Sequence, residues 1–399
     1  MVILFRVGTT IPVPGIDTAM IKQMVEGNDL LSLYNMFTGG AFGNFTLFAL
    51  GIGPYITATI IIQLLTIGFE SLKELQKSGE EGKKRMDWYT RCTALVLAII
   101  QAVGITLGVI RPALKSNNTF FIISVVVTLV SASMFVMWMA DKITQHGIGN
   151  GSSVIIFVGI ISRIPLDFIA LVEQVKAGSV EPWKAALLVI IVLLTIFGVT
   201  YIQESTRKIP VQYAKRIAGR NLVDGENSHI PMKVNQSGVM PIIFASSILA
   251  LPQTIALFMG PDAQQFVQQY LSGVTEKGFW IYRGLEVLLI VFFSYFYTAI
   301  SFNVEDVTKN MKQSGGFIPG VRPGKPTEEY LSGILNKLTL VGAFFLGIIA
   351  MIPALMTHYM LIQMSLAGTS LLIVVGVALE MKRQLEANMV MTNYQGFLD

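Results

Sequence analysis

Long runs without charged residues alternate with short segments that carry the charges of this chain. Runs of about 18 or more such residues are typical of helices that cross a membrane. They predict eight spans, at residues 47–69, 92–110, 116–140, 185–203, 234–261, 287–304, 338–357 and 359–379. A shorter run at 147–162 predicts a ninth, and residues 1–14 are interpreted as the back half of a first span whose start is missing.

The charge-free run from residue 30 to residue 69 is too long for one span. As a single helix it would measure roughly 60 Å, about twice the hydrocarbon core of a bilayer. Glycine and proline recur in it at positions where helices tend to end or bend, namely Gly39, Gly40, Gly43, Gly51, Gly53 and Pro54. The sequence therefore predicts a membrane segment whose helix is interrupted.

Composition and charge agree with a membrane protein. Of the 399 residues, 53% are hydrophobic and only 14% are charged, whereas soluble domains carry about 25% charged residues. Each loop is numbered by the predicted span that it follows, with residues 1–14 counted as the first span. The even-numbered loops and the C-terminal tail hold 20 of the 29 Lys and Arg, whereas the odd-numbered loops hold few. This bias predicts cytoplasmic N- and C-termini. The single cysteine, Cys92, excludes an internal disulfide.

Two predicted cytoplasmic loops, 204–236 and 303–337, are long enough to project from the membrane. The first contains the alternating segment KIPVQYAKR, which favours a short strand pair. The second has a glycine- and proline-rich tip, with Arg322 and Lys325, between two helical segments. The basic residues of these loops have two interpretations. They form either a solvated surface that only reflects the charge bias of cytoplasmic loops or a docking surface for an acidic partner.

No motif indicates catalysis, a cofactor or a metal. GVRPGKPT, residues 320–327, has the wrong spacing for a phosphate loop, and Pro326 stands where a magnesium-binding Ser or Thr belongs. HGIGNGSS, residues 146–153, is more typical of a tight turn that opens a span. The three histidines lie in three different loops, so they have no convergent partners.

An ion-coupled transporter of a small solute is the main alternative, and a membrane scaffold is a third. Broken helices occur in such carriers, but these usually keep ionisable groups in the membrane interior. Here Arg6 lies in the incomplete first span and Glu286 near the outer end of the eighth. The interior carries mildly polar residues instead, which either pack or form hydrogen bonds between helices: Thr57, Gln63, Gln101, Ser246, Ser247 and Gln253.

Several blocks resemble one known family over almost the whole chain. They include FRVGTTIPVPGID, NMFTGGAFGNFTLFALGIGPYITATIIIQLL, HGIGNGSSVIIFVGI, YAKRIAGR, KVNQSGVMPIIFASSI, FNVEDVTKNMKQSGGFIPGVRPGKPTEEYL and AGTSLLIVVGVALE. In this order they are similar to the SecY family of bacterial protein translocase subunits. The family's basic N-terminus and the first part of its first span have no counterpart here, and the tail is short.

The resemblance implies an all-α membrane protein of ten transmembrane helices, the first truncated, in two inverted halves of five, residues 1–171 and 172–399. It implies that the second span is split into a half-helix called the plug, at about residues 34–45, and a longer pore-lining span. Asn35, Gly39, Gly40 and Gly43 fall in the plug, and Gly51, Gly53 and Pro54 form the hinge.

A ring of aliphatic side chains at the waist of the channel is also implied. The matching positions are Ile52, Ile56, Ile156, Ile243 and Ile373. The lateral exit to lipid would lie between the second and third spans on one side and the seventh and eighth on the other. The mildly polar residues named above are candidates for this gate.

The implied function is conduction of secretory polypeptides across the bacterial cytoplasmic membrane, without a cofactor and without enzymatic activity. The implied partners are the SecE and SecG membrane subunits, the SecA motor ATPase, the ribosome, preproteins and lipid. SecA and the ribosome grip the two cytoplasmic loops in this family. Arg322 is the best match to a docking residue; looser candidates are Lys325, Arg207, Lys208, Lys215, Arg216 and Arg220.

Overall fold

The structure is a computed structural model that describes residues 1–26, 35, 38–114, 118–213, 216–218, 221–223, 227–259, 261–271, 275–360 and 369–395. Helices dominate this part of the chain. The first eight are α1 (Val2–Gly8), α2 (Thr18–Glu26), α3 (Gly53–Gly68), α4 (Glu70–Lys77), α5 (Glu80–Ile105), α6 (Thr119–His146), α7 (Gly151–Ile161) and α8 (Ile164–Lys176). A π-helical turn (Thr106–Ile110) and a 3₁₀ turn (Arg111–Ala113) follow α5.

The rest of the chain adds seven helices and five short strands to those described. The helices are α9 (Pro182–Glu204), α10 (Met240–Met259), α11 (Pro261–Tyr270), α12 (Glu276–Ser301), α13 (Val304–Gln313), α14 (Lys325–Met360) and α15 (Thr369–Gln395). The strands are β1 (Thr206–Tyr213), β2 (Arg216–Ala218), β3 (Asn221–Val223), β4 (Asn227–Lys233) and β5 (Gly316–Phe317).

Within the described ranges, six helical segments are long and apolar enough to cross a membrane. A seventh is added if the bent pair α3 and α4 counts as one span. The helical segment at the ninth predicted run, 147–162, is longer than that run. Here α7 and α8 together extend over 26 residues, Gly151–Lys176. The chain is a multi-pass membrane protein, and the count of ten spans stays a prediction.

The second predicted span differs from its expected bounds, 47–69. The helix begins only at Gly53, with Pro54 in its first turn, where a missing N–H costs nothing because that group has no partner in the helix. Gly51 has a φ of +56°, which a helix cannot accommodate. At the other end the chain bends by 110° into α4. The predicted break at 51–54 is confirmed, and the bend after Gly68 was not predicted.

The two loops that were predicted to be cytoplasmic pack together as one small unit, here called the loop unit. β1 and β4 form the predicted antiparallel pair, in which Ile209 faces Ile230. β5, from the second loop, pairs with the other edge of β1. Apolar side chains of both loops share a core, which includes Ile209, Val211, Met311 and Leu331.

The largest apolar core lies where the helices of the two predicted halves meet. It draws residues from α3, α7, α10, α12, α14 and α15. α10 packs against α3, α5 and α12, and α15 packs against α7. The candidate site lies within this core.

Candidate functional site

The five isoleucines of the expected ring line one cavity of about 60 Å³. Ile52 precedes α3 and Ile56 lies one turn further on, while the others come from α7, α10 and α15. All five are buried, with exposed fractions between 1% and 8%. Side chains that are more than 300 residues apart in the chain therefore converge on one narrow space.

None of the described residues that line this cavity carries a charge. Besides the isoleucines, the lining consists of Thr38, Leu50, Gly53, Thr57, Gln101, Ser246, Ser247, Ala250 and Leu251. Such a lining offers an ion no charged ligand, and a narrow apolar constriction also wets poorly. The cavity has the chemistry of a seal rather than of an ion site.

Four of the six mildly polar residues contact this cavity: Thr57, Gln101, Ser246 and Ser247. Gln63 lies on α3 away from it, and the side chain of Gln253 lies outside the described residues. The hydroxyl of Ser246 donates to carbonyls of its own helix, at 2.9 and 3.0 Å, rather than to a neighbour. Among the described residues, the side-chain oxygens of Gln63 and Gln101 are buried without a hydrogen-bond partner. The Ser246 hydroxyl and these two oxygens thus form none of the suggested hydrogen bonds between helices.

The plug segment, residues 34–45, is described at Asn35 and from Thr38 onward. The expected half-helix is wrong for residues 38–45, which form successive turns. The reason is local, because Gly39 and Gly40 have φ values of +67° and +89°, a region that interrupts a right-handed helix. Thr38 lines the cavity, so the plug segment lies directly against the isoleucines. Residues 34, 36 and 37 lie outside the described part.

Asn35 organises the turns of the plug segment. Its side-chain oxygen accepts a hydrogen bond from the backbone N–H of Gly43 at 2.6 Å. Its backbone carbonyl accepts from the N–H of Gly40 at 2.8 Å and from the hydroxyl of Thr38 at 3.1 Å. One asparagine therefore connects the successive turns of this segment through its hydrogen bonds to Thr38, Gly40 and Gly43.

The hinge residues lie between the plug segment and α3. The carbonyl of Gly51 accepts a hydrogen bond from the hydroxyl of Ser133 on α6, at 3.3 Å. Gly53 and Pro54 begin α3, and Gly53 also lines the cavity. Gly51 and Ile52, just before the helix, form a turn, and such irregular backbone is tolerated at membrane depth only where it is buried in protein or lines a cavity.

The helices on which a lateral exit was expected are neighbours. The second and third predicted spans correspond to α3 and α5, and the seventh and eighth to α10 and α12. α10 packs against both α3 and α5, and α12 packs against α10. The contact of α10 with α3 and α5 is thus the seam between the two predicted halves on this side of the cavity.

The candidate docking residues lie on the loop unit as far as the structure describes them. Arg207 and Lys208 are exposed on β1, and Arg322 and Lys325 are exposed around the start of α14. The buried Thr327 fixes this tip, because its hydroxyl donates to the carbonyl of Arg322 at 2.8 Å. The structure does not place the other three candidates: Lys215 and Arg220 lie outside the described residues, as does the side chain of Arg216.

Sequence reasoning missed a buried ion pair on α12. Glu286 is only 2% exposed, and its carboxylate accepts from the guanidinium of Arg283 at 2.5 Å. The sequence does carry a signal for this pair: Arg283 and Glu286 are three residues apart, and positions with that spacing share one face of a helix. Neither residue lines the cavity, so the pair is separate from the candidate site.

The chain matches known proteins over nearly its full length. Residues 46–382 match the family model for SecY. The protein translocase subunit SecY of Synechocystis sp. is 41% identical over 408 residues, covering 100% of this chain and 92% of the relative. That of Rickettsia typhi is 41% identical over 406 residues, covering 100% and 93%.

Solved channel structures share the fold. The structure of a protein-conducting channel has a TM-score of 0.71 at 19% identity and covers 98% of this chain and 90% of its own. A second, of a SecY protein whose plug domain stabilises the closed state of the translocation channel and maintains a membrane seal, has a TM-score of 0.70 at 18% identity, with the same coverage. Sec61 in the canine ribosome-channel complex has a TM-score of 0.66 at 16% identity, also with 98% and 90% coverage. By the family model and by these full-length relatives, the chain belongs to the SecY family.

Proposed function

We propose that this chain is the channel-forming subunit of a protein translocase of the bacterial cytoplasmic membrane. It conducts unfolded secretory polypeptides across the membrane and releases apolar segments sideways into lipid. The observation that carries the proposal is the convergence of Ile52, Ile56, Ile156, Ile243 and Ile373 on one uncharged cavity beside the plug segment.

The isoleucines act as a pore ring. Branched apolar side chains offer no ligand to ions and exclude water when the opening is narrow. Their rotamers can rearrange around a polypeptide, because no hydrogen bond holds an isoleucine side chain in place. The ring therefore seals around a passing chain and closes behind it.

The plug segment completes the seal at rest. Its turns lie against the cavity through Thr38, and the hinge from Gly51 to Pro54 separates it from α3. A segment of turns joined by glycine can be displaced without unwinding a helix. This supports a plug that moves while the pore-lining helix stays in place.

The two halves, residues 1–171 and 172–399, open like a clamshell along the seam of α10 with α3 and α5. Ten spans in two inverted sets of five fit this division. A hydrophobic signal segment leaves through the seam, since burial of apolar surface is favourable by about 25 cal/mol per Å². Thr57, Gln101, Ser246 and Ser247 lie where the seam meets the cavity, so a chain in transit meets mildly polar groups there.

The energy for movement comes from partners, and the chain itself catalyses no reaction and binds no cofactor. The basic residues Arg207, Lys208, Arg322 and Lys325 dock the SecA motor or a ribosome by attraction to acidic groups on the partner. The ribosome-bound Sec61 channel shares this fold, which supports the second partner. SecE and SecG complete the membrane complex, and both termini are cytoplasmic, as the distribution of basic residues indicates.

Crosslinking of a stalled secretory chain tests this function. In a background with Cys92→Ser, a preprotein halted in transit carries a short thiol-reactive probe. Ile373→Cys should crosslink to it, whereas Leu193→Cys, at a side chain that is 60% exposed on α9, should not. Crosslinking at Leu193 but not at Ile373 would rule out this pore.

A further inference from the structure

Arg163 lies in the break between α7 and α8, one helical turn after Gly159. Residues four apart on a helical turn share a face, and both of these meet the plug segment. Gly159 lies against Gly39. The guanidinium of Arg163 donates to the backbone carbonyl of Asn35 at 3.3 Å.

The side chain of Arg163 also covers the glycine turn of the plug segment. A Cβ atom built on Gly40 would lie 3.8 to 3.9 Å from the Cδ, Nε and Cζ atoms of Arg163. The carbonyl that Arg163 contacts is the one that the Thr38 hydroxyl and the Gly40 N–H already use. Thr38 in turn lines the cavity. Arg163 thus contacts the plug segment at Asn35, three residues before the Thr38 that lines the cavity.

We propose that Arg163 fastens the plug segment in the closed channel, an inference that rests on the proposed function. A guanidinium suits this task because it stays charged and presents several donors in a fixed plane. A hydrogen bond from a charged donor to a carbonyl is stronger than a neutral one. The contact is also reversible, since the guanidinium is only partly buried and is hydrated when the plug segment leaves. Arg163 is a positioning residue that sets how easily the channel opens.

The main chain of Arg163 has a separate structural role, which allows the two to be distinguished. Its carbonyl accepts from the N–H of Asp167 at 2.9 Å and so starts α8. This bond survives any change of side chain. A variant that keeps the backbone but removes the charge should therefore fold and lose only the plug contact.

The test compares the resting ion conductance of the purified translocase in planar bilayers for three variants. Arg163→Met keeps an unbranched apolar stem and removes the charge. Arg163→Lys keeps the charge without the planar fork. Arg111→Met removes an exposed arginine from the same predicted side of the membrane. Loss of one charge-assisted hydrogen bond should raise the leak about tenfold in Arg163→Met. Arg163→Lys should lie between that value and wild type, and Arg111→Met should equal wild type.

Two results would overturn the role of Arg163: a folded Arg163→Met protein with the wild-type leak, or an equal rise in Arg111→Met. If Arg163→Met fails to accumulate, the resting leak of Arg163→Lys is compared with that of Arg111→Met instead. Equal leaks in these two variants would then overturn the role of Arg163. Preprotein export by the wild-type complex is measured alongside. Absence of that export would overturn the proposed function, whereas normal export with an unchanged leak in the variant overturns only the inference on Arg163.

Discussion

Gly39 and Gly159 are in contact, and only at Gly39 would an added side chain clash with the other glycine. A Cβ atom built on Gly39 would fall 2.7 Å from the Cα of Gly159, whereas one built on Gly159 would lie 3.5 Å from the Cα of Gly39, an ordinary contact. Gly39 also has a φ of +67°, where a side chain adds strain of about 1–2 kcal/mol. We therefore expect Gly39→Ala to push the plug segment off α7 and Gly159→Ala to leave it seated.

Resting ion leak measures this difference. A penalty of 1–2 kcal/mol corresponds to roughly a 5- to 30-fold change in an equilibrium, so Gly39→Ala should raise the leak by that order. Gly159→Ala is the matched control, because it adds the same methyl group at the same contact. Equal leaks in the two variants would show that this contact does not hold the plug segment.

Ile373 is the most deeply buried of the five ring residues, at 1% exposure. Ile373→Asn places an amide in the cavity, which favours water there and weakens the apolar seal. We expect a larger ion leak and export of preproteins whose signal segments are too weak for the wild type. Ile373→Val keeps the surface apolar and should behave like the wild type. An unchanged leak and substrate range for the asparagine variant would contradict the ring.

The features that were predictable from the sequence are those set by local chemistry. Gly51 and Pro54 encode the break before α3, because a positive φ and a missing N–H act at the residue itself. The alternation that begins at residue 208 encodes β1, since Ile209 and Val211 face the core of the loop unit and their neighbours Lys208 and Pro210 are exposed. The convergence of the five isoleucines followed from the family resemblance, because nothing local to Ile243 or Ile373 indicates a shared cavity.

The features that were missed depend on partners far away in the chain. The pairing of β5 with β1 joins two loops about 100 residues apart, and Gly316–Phe317 is too short to show a strand pattern. The contact of Arg163 with Asn35 joins positions 128 apart. The half-helix expected at residues 38–45 followed from the family resemblance, and these residues form turns instead. The positive φ angles of Gly39 and Gly40 interrupt a helix there, and the contact of Gly39 with Gly159 adds a long-range partner.

Arg322 is exposed at the tip between β5 and α14. Arg322→Glu reverses a charge that an acidic partner surface would meet, so it should slow SecA-driven export by about tenfold at low salt and by less at high salt. Thermal unfolding should be unchanged, because the side chain is exposed. Lys309→Glu, at an exposed position on α13, is the control for a general loss of positive charge. Equal export in Arg322→Glu and wild type would argue against docking at the tip.

Thr327 connects that tip to the fold without touching a partner. It is fully buried, and besides donating its hydroxyl to the Arg322 carbonyl, its N–H donates to the carbonyl of Gly324 at 3.0 Å. Thr327→Val keeps the shape but leaves the Arg322 carbonyl without this donor, at a cost of about 1 kcal/mol.

The looser tip should then bind SecA several-fold more weakly than wild type, which a binding titration with the reconstituted complex measures. The loss should be smaller than in Arg322→Glu, because the charge is still present and only its position is less fixed. Thr327→Ser restores the hydroxyl and should restore most of the affinity. If the valine variant bound as tightly as wild type while Arg322→Glu did not, docking would depend on the charge alone and the buried threonine would serve only the local fold.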